Sequence, residues 1–194
     1  MARAVAGLAI LLLAGCAIVP VSREAGDWPA RRLALQALSR WELHGRIAVA
    51  AGGEGFSGGF RWRQDGSHAE VDVRTPLGGT ALTLSIDGSR LTVADAQGQV
   101  AAGAAADAAL AEALGVPLPV AELRYWLVGA PAPGAVEFEQ TGPDGRLERL
   151  VQSGWELRYD RYREVGAMVL PARLELMAPG ARVRVVTGQW QMHP

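Results

Sequence analysis

Lysine and asparagine are missing from this sequence altogether, and its 194 residues include a single cysteine and only three histidines. The all-arginine basicity reads as the coding bias of a GC-rich genome and assigns no function. With Cys16 alone, no intramolecular disulfide can form. His44, His68 and His193 do not stand at metal-ligand spacing from one another or from cysteine, so no metal and no other cofactor is expected. An excess of charge is lacking too: the formal net charge is −1 and the arginines are scattered singly or in twos, which argues against a nucleic-acid partner. The one marked apolar run, near the N-terminus, is too short to span a bilayer comfortably.

That run belongs to MARAVAGLAILLLAGC, which has a basic start, an apolar centre and small residues at its end, the plan of a secretory signal. Leu13-Ala14-Gly15-Cys16 resembles the lipobox of bacterial lipoproteins, in which the cysteine is acylated and becomes the new N-terminus. Lipidation accounts for a lone cysteine in an exported chain. Several acyl chains, at about 0.8 kcal/mol per buried methylene, tether a protein to a membrane without spanning it. By analogy with lipoproteins of this kind, Ala17 in place of aspartate after the cysteine implies residence in the outer membrane. The expected organisation is a signal peptide over 1–15, a lipidated N-terminus and flexible tether over 16–29, and a single domain over 30–194.

Within that domain, ARRLALQALSR places Leu33, Ala37 and Leu38 on one face of a short amphipathic helix. Alternation follows: Leu43, Gly45, Ile47 and Val49 oppose His44 and Arg46, and Phe56, Gly58, Phe60 and Trp62 oppose Ser57, Arg61 and Arg63. Ala69, Val71 and Val73 are expected to pair with Leu82, Leu84 and Ile86 across RTPLGGTA. ADAALAEALG and VAELRYWLVG read as two short helices ending at Gly115 and Gly129, inserted between strands. Further alternating runs extend to Val183 and Val185. The fold class is α+β and mainly β: one antiparallel sheet, strongly curved, with a few short helices over one side. Leu77 is out of place in this pattern, a large apolar side chain at a turn. It either folds back to cap the end of the sheet or stands in water.

Gly55-Phe56-Ser57-Gly58-Gly59 satisfies G-x-S-x-G. A nucleophile elbow needs a helix after the serine, whereas GFRWRQ reads as a strand, so a glycine-rich hairpin is the favoured reading. The overlapping Gly53-x-Gly55-x-x-Gly58 lacks the helix N-terminus that would hold a pyrophosphate. No catalytic constellation is present, and the alternative of a membrane-tethered serine hydrolase using Ser57 rests on this motif alone.

WELHGRIAV, FRWRQ, VRTPLGGTALTL, LRYWLVGAPAPG, WELRYDRY and LPARLEL, in this order behind a lipobox, resemble the LolB family of outer-membrane lipoprotein receptors from about Trp41 to Trp190. PLG with its following strand and LRxWLxGxP are the specific parts. The resemblance implies an incomplete antiparallel β-barrel closed by helices over an apolar cavity, and a non-enzymatic activity. Such a receptor accepts lipoproteins from the periplasmic carrier LolA and delivers them into the outer membrane. Its partners would be LolA, the acyl chains of lipoprotein cargo and outer-membrane lipids, and the domain is expected to be a monomer. The family's protruding apolar loop falls on Pro76, Leu77 and Gly78. A cavity for acyl chains would draw its lining from the sheet residues Phe60, Trp62, Val71, Val73, Leu82, Leu84 and Ile86, and from the helix residues Leu123, Trp126 and Leu127. A barrel filled solid by these side chains, in a purely structural lipoprotein, is the competing arrangement.

Overall fold

A computed structural model describes residues 27–193 of the chain. The expected signal segment and Cys16 lie outside the described residues. The first element is helix α1, Trp28–Gln36, where the Asp27 carboxylate accepts the Ala30 amide at 3.3 Å and Pro29 occupies the first turn. Both are favourable there, because the first turn has amide donors without helical partners and proline lacks one. The helix therefore starts inside the stretch expected to be tether. Its buried residue is Leu35, while Leu33 is 68% exposed. The helix is held by Leu35 in the core, with Trp28 and Leu38 packed beside it, and by polar contacts: Arg31 reaches the Val169 carbonyl, and the Gln36 amide donates to the Pro131 carbonyl at 2.9 Å.

The strands are β1 (Arg40–Ala51), β2 (Glu54–Asp65), β3 (His68–Arg74), β4 (Thr80–Asp87), β5 (Arg90–Asp95), β6 (Val100–Ala102), β7 (Phe138–Thr141), β8 (Leu147–Gln152), β9 (Trp155–Val165), β10 (Met168–Ala178) and β11 (Ala181–Met192). They form one 11-stranded antiparallel sheet in the order β6-β5-β4-β3-β2-β1-β11-β10-β9-β8-β7. Two meanders are thus joined where β1 pairs with β11, with Ile47 opposite Val185 and Val49 opposite Val183. The sheet does not close, since it ends at β6 on one side and β7 on the other. In the chain, α2 (Ala104–Leu114) and α3 (Val120–Val128) bridge those two edges, which makes the fold the open, helix-covered sheet expected.

Gly115 and Gly129 end these helices in the left-handed conformation, at φ 73° and 85°. At Gly129 the cap is completed by backbone bonds from Gly129 to Trp126 and from Ala130 to Tyr125, of 3.1 and 3.0 Å. Inward-facing residues of both meanders and of the helices form one continuous core, including Leu43, Trp62, Val71, Leu84, Leu110, Trp126, Leu157 and Leu174. Leu147 and Leu150 both point into it although they are three residues apart. A register shift of β8 against β7, between Arg149 and Leu147, absorbs the extra residue.

Candidate acyl cavity and protruding loop

The β3–β4 connection is a tight hairpin. The Gly78 amide donates to the Thr75 carbonyl at 2.9 Å and the Thr75 amide to the Gly79 carbonyl at 2.8 Å. Pro76 presets the backbone at the start of the turn, and Gly78 takes φ 88°, which a side chain would resist. Between them Leu77 is 99% exposed. It does not cap the sheet. The strand directions place this hairpin at the same end as the nearby turns at 52–53, 97–98 and 179–180.

Inside the sheet lies a cavity of about 60 Å³ whose walls are entirely apolar. Phe60, Trp62, Val71, Val73, Leu82 and Leu84 face it from β2, β3 and β4, and Leu123 and Leu127 from α3. Two residues expected there are elsewhere. Ile86 sits one alternation further along β4, on the wall of a separate cleft. Trp126 is fully buried behind α3, where its indole N–H donates to Gln152 Oε1 at 3.0 Å, since an indole donor needs an acceptor that an apolar cavity cannot offer. The cavity also takes in Ile47, Val183 and Val185 from the β1–β11 seam and Leu110, Leu114, Leu118 and Val120 from the helical segment. Leu110 and Leu114 are legible as an i, i+4 pair, and Val183 with Val185 as same-face strand positions, but nothing local says that these distant segments share one void.

Gln152 fixes the helical cover. Besides Trp126, its Oε1 accepts the Ala132 amide at 2.9 Å, while its Nε2 donates to the carbonyls of Ala132 and Ala135 at 2.9 and 3.2 Å. A buried side-chain amide with its capacity filled is a rigid bracket. It ties α3 and the turn after it to the end of β8. Burial raises the phenol pKa of both Tyr159 and Tyr162, and Tyr159 adds a bond from its hydroxyl to the Trp126 carbonyl at 3.1 Å.

Glu42 is bracketed by Arg61 through Nε and Nη2, each 2.8 Å from a carboxylate oxygen, and by His44 Nε2 at 2.6 Å. The Arg61 bonds chiefly, with those of His44, pull its pKa down to about 2 despite burial. Ser57 is an exposed residue inside β2 and is followed by strand, so the nucleophile elbow is absent. His44 and His68 are engaged with Glu42 and Glu70 instead. The glycines of this motif serve packing: a Cβ on Gly58 would lie 2.0 Å from the Arg74 carbonyl oxygen. Among the described residues there is no cluster of three metal-ligating side chains, and no helix is long and apolar enough to cross a membrane.

The family described as outer membrane lipoprotein LolB matches residues 39–190. The chain is 35% identical over 190 residues to the outer-membrane lipoprotein LolB of Nitrosococcus oceani, covering 95% of this chain and 94% of that one. It is 34% identical over 194 residues to that of Pseudomonas aeruginosa, covering 96% and 94%. Among solved structures, a LolA superfamily protein from Nitrosomonas europaea superposes with a TM-score of 0.55 at 9% identity, over 88% of this chain and 94% of the other. A DUF1329 family protein from Desulfovibrio piger gives 0.58 at 9% identity, over 86% and 90%. At that identity the likeness is one of fold alone.

Proposed function

Because this chain belongs to the LolB family of outer membrane lipoproteins, we infer that it acts as an outer-membrane lipoprotein receptor, a binding and transfer protein and not an enzyme. The observation that carries the reading is the void lined only by apolar side chains within a sheet that does not close. A lipoprotein's acyl chains cannot cross water exposed, since each methylene costs about 0.8 kcal/mol there. We propose that they occupy this cavity, with Phe60, Trp62, Val71, Val73, Leu82, Leu84, Leu123 and Leu127 against them.

The empty cavity is smaller than the engineered void of about 150 Å³ that admits benzene. At about 60 Å³ it is too small to take an acyl chain without rearrangement. Cargo then enters by displacing α2 and α3 from the sheet, and only differential affinity for the expanded state drives that shift. LolA is the proposed donor, passing cargo without nucleotide to the site that holds acyl chains better. Anchoring follows the sequence reading: cleavage after residue 15, acylation of Cys16, and a tether leading to the domain.

Leu77 has the role of a probe. Its side chain, already in water, gains roughly 1.5–3 kcal/mol on entering hydrocarbon. That is too little to anchor a protein and enough to bias a brief insertion of the Pro76-Leu77-Gly78 turn while cargo is released. The test compares full-length native protein with Leu77→Glu, scoring uptake from LolA separately from delivery to outer-membrane vesicles. The expected outcome is unchanged uptake with delivery reduced about tenfold or more. Equal delivery by both forms would reduce Leu77 to a turn residue, and failure of the native protein to take cargo would remove the receptor assignment.

A further inference from the structure

At the end of the sheet opposite Leu77, bounded by the turns at 66–67 and 88–89, is a second hollow of about 340 Å³. Its walls set Gln64, Ser67, Ser89, Glu122 and Arg124 beside apolar residues such as Ala69, Ile86 and Pro133, so unlike the cavity it offers polar groups. The two spaces share Trp62 and Val120, which line both. Trp62 is held in place as the partition: it stacks on Trp41 with centroids 6.0 Å apart, and its indole N–H donates to Gln64 Oε1 at 2.9 Å. Gln64 in turn donates to the carbonyls of Gly66 and His68, both at 3.0 Å, fixing the partition to the turn.

Glu122 supplies a second observation. Its Oε1 accepts the Ser153 hydroxyl at 2.8 Å, whereas Oε2 is out of solvent and has no partner. A carboxylate oxygen so placed is costly, and an arriving N–H donor would relieve it. Arg124 spans the other side, donating to the Gly66 carbonyl at 3.1 Å and lying 4.5 Å from the centre of the Tyr125 ring.

We propose that this cleft seats the peptide that follows the acylated residue of the cargo. A wholly apolar chamber that shares a wall with a mixed one carrying hydrogen-bonding groups suits a ligand that changes polarity abruptly along its length, as an acylated peptide does. The acyl chains then run from the cleft towards the end that bears Leu77, and the peptide amides meet Glu122, Ser67 and Ser89. This rests on the receptor reading above.

The test uses the full chain with a photo-crosslinking residue at Ser89 or, as control, at Ala48 on the outer face of β1, together with Ala121→Trp, which places bulk on the cleft wall. Each protein is offered lipoprotein on its carrier and, separately, a fluorescent free fatty acid. Ser89 is expected to label lipoprotein about tenfold more than Ala48 does, and Ala121→Trp to weaken lipoprotein binding about tenfold while fatty-acid binding stays unchanged. Equal labelling from both positions overturns the cleft assignment, as does full lipoprotein affinity in Ala121→Trp. If that variant loses both ligands its cavity is damaged, and the labelling ratio alone decides. An unmodified protein that takes fatty acid but no lipoprotein overturns the receptor reading and this one with it.

Discussion

Glu42 shows what one outward-facing residue contributes on a curved sheet. Arg61, across the β1–β2 pair, grips both carboxylate oxygens, and this together with His44 lowers the pKa from its ordinary 4.5 to about 2. A carboxyl that is more acidic in the folded state stabilises the fold above its unfolded pKa, and that contribution is lost as pH falls through the folded one. Thermal midpoints should therefore drop between pH 4.5 and 2 in the native protein, and less steeply in Glu42→Gln. Superimposable profiles for the two would show that the pair adds nothing. Glu156, shared by Arg149 and Arg158, is lowered in the same direction and leaves some acid sensitivity in the variant. At this scale the sequence was legible where chemistry is local, as in the turn at Pro76-Leu77-Gly78, while whether Leu77 stands in water or caps the sheet was not, because spacing does not say where a turn side chain points. Spacing put Leu33 on the covered face of the first helix where the structure buries Leu35 instead, because helical spacing gives a face but not which neighbour will cover it. Phe138, 42% exposed beneath Arg149, shows the same on β7, where an aromatic side chain is left half in water.

Among the elements, α3 and the turn after it take most of their buried polar contacts from a single side chain, Gln152. Gln152→Leu keeps much of the volume but strips acceptors from the Trp126 indole and the Ala132 amide, each buried. Leaving a buried donor unsatisfied costs about 1–3 kcal/mol, so the melting temperature should fall by several degrees. Amide exchange should quicken first in α3 and the 129–135 turn, with β1 and β11 protected as before. Uniform loss of protection would mean that Gln152 serves the whole core and not the cover. The helices themselves were readable from spacing and from Gly115 and Gly129. Their bracket was not, because a glutamine at the end of a strand ordinarily points to solvent, and only the fold brings three backbone groups of a distant turn around it. The same limit explains Ile86 and Trp126: periodicity names the inner face of a strand or helix, but where the void stops along that face is a property of the assembled layers.

Over the whole molecule the cavity is a packing defect retained in an otherwise dense interior. Filling it tests whether it is retained for use. Val73→Ile with Val183→Ile adds two methyl groups to facing walls of the cavity. Cavity filling commonly stabilises by about 0.5–2 kcal/mol, which raises the melting temperature by a few degrees in a domain of this size. Uptake of acylated cargo should fall at the same time. A variant that is more stable and equally competent would show that cargo lies elsewhere.

The open sheet has one more consequence, in time. β6 and β7 end the sheet without pairing to each other, and what spans the gap is the helical segment packed through its side chains. A barrel sealed by a ladder of backbone bonds would have to unzip before admitting a guest. A seam closed by packed helices would part by their sliding, a class of motion that runs in microseconds to milliseconds and leaves the ladders intact. A receptor that must open and reseal for every passenger is thereby spared unfolding any part of its sheet.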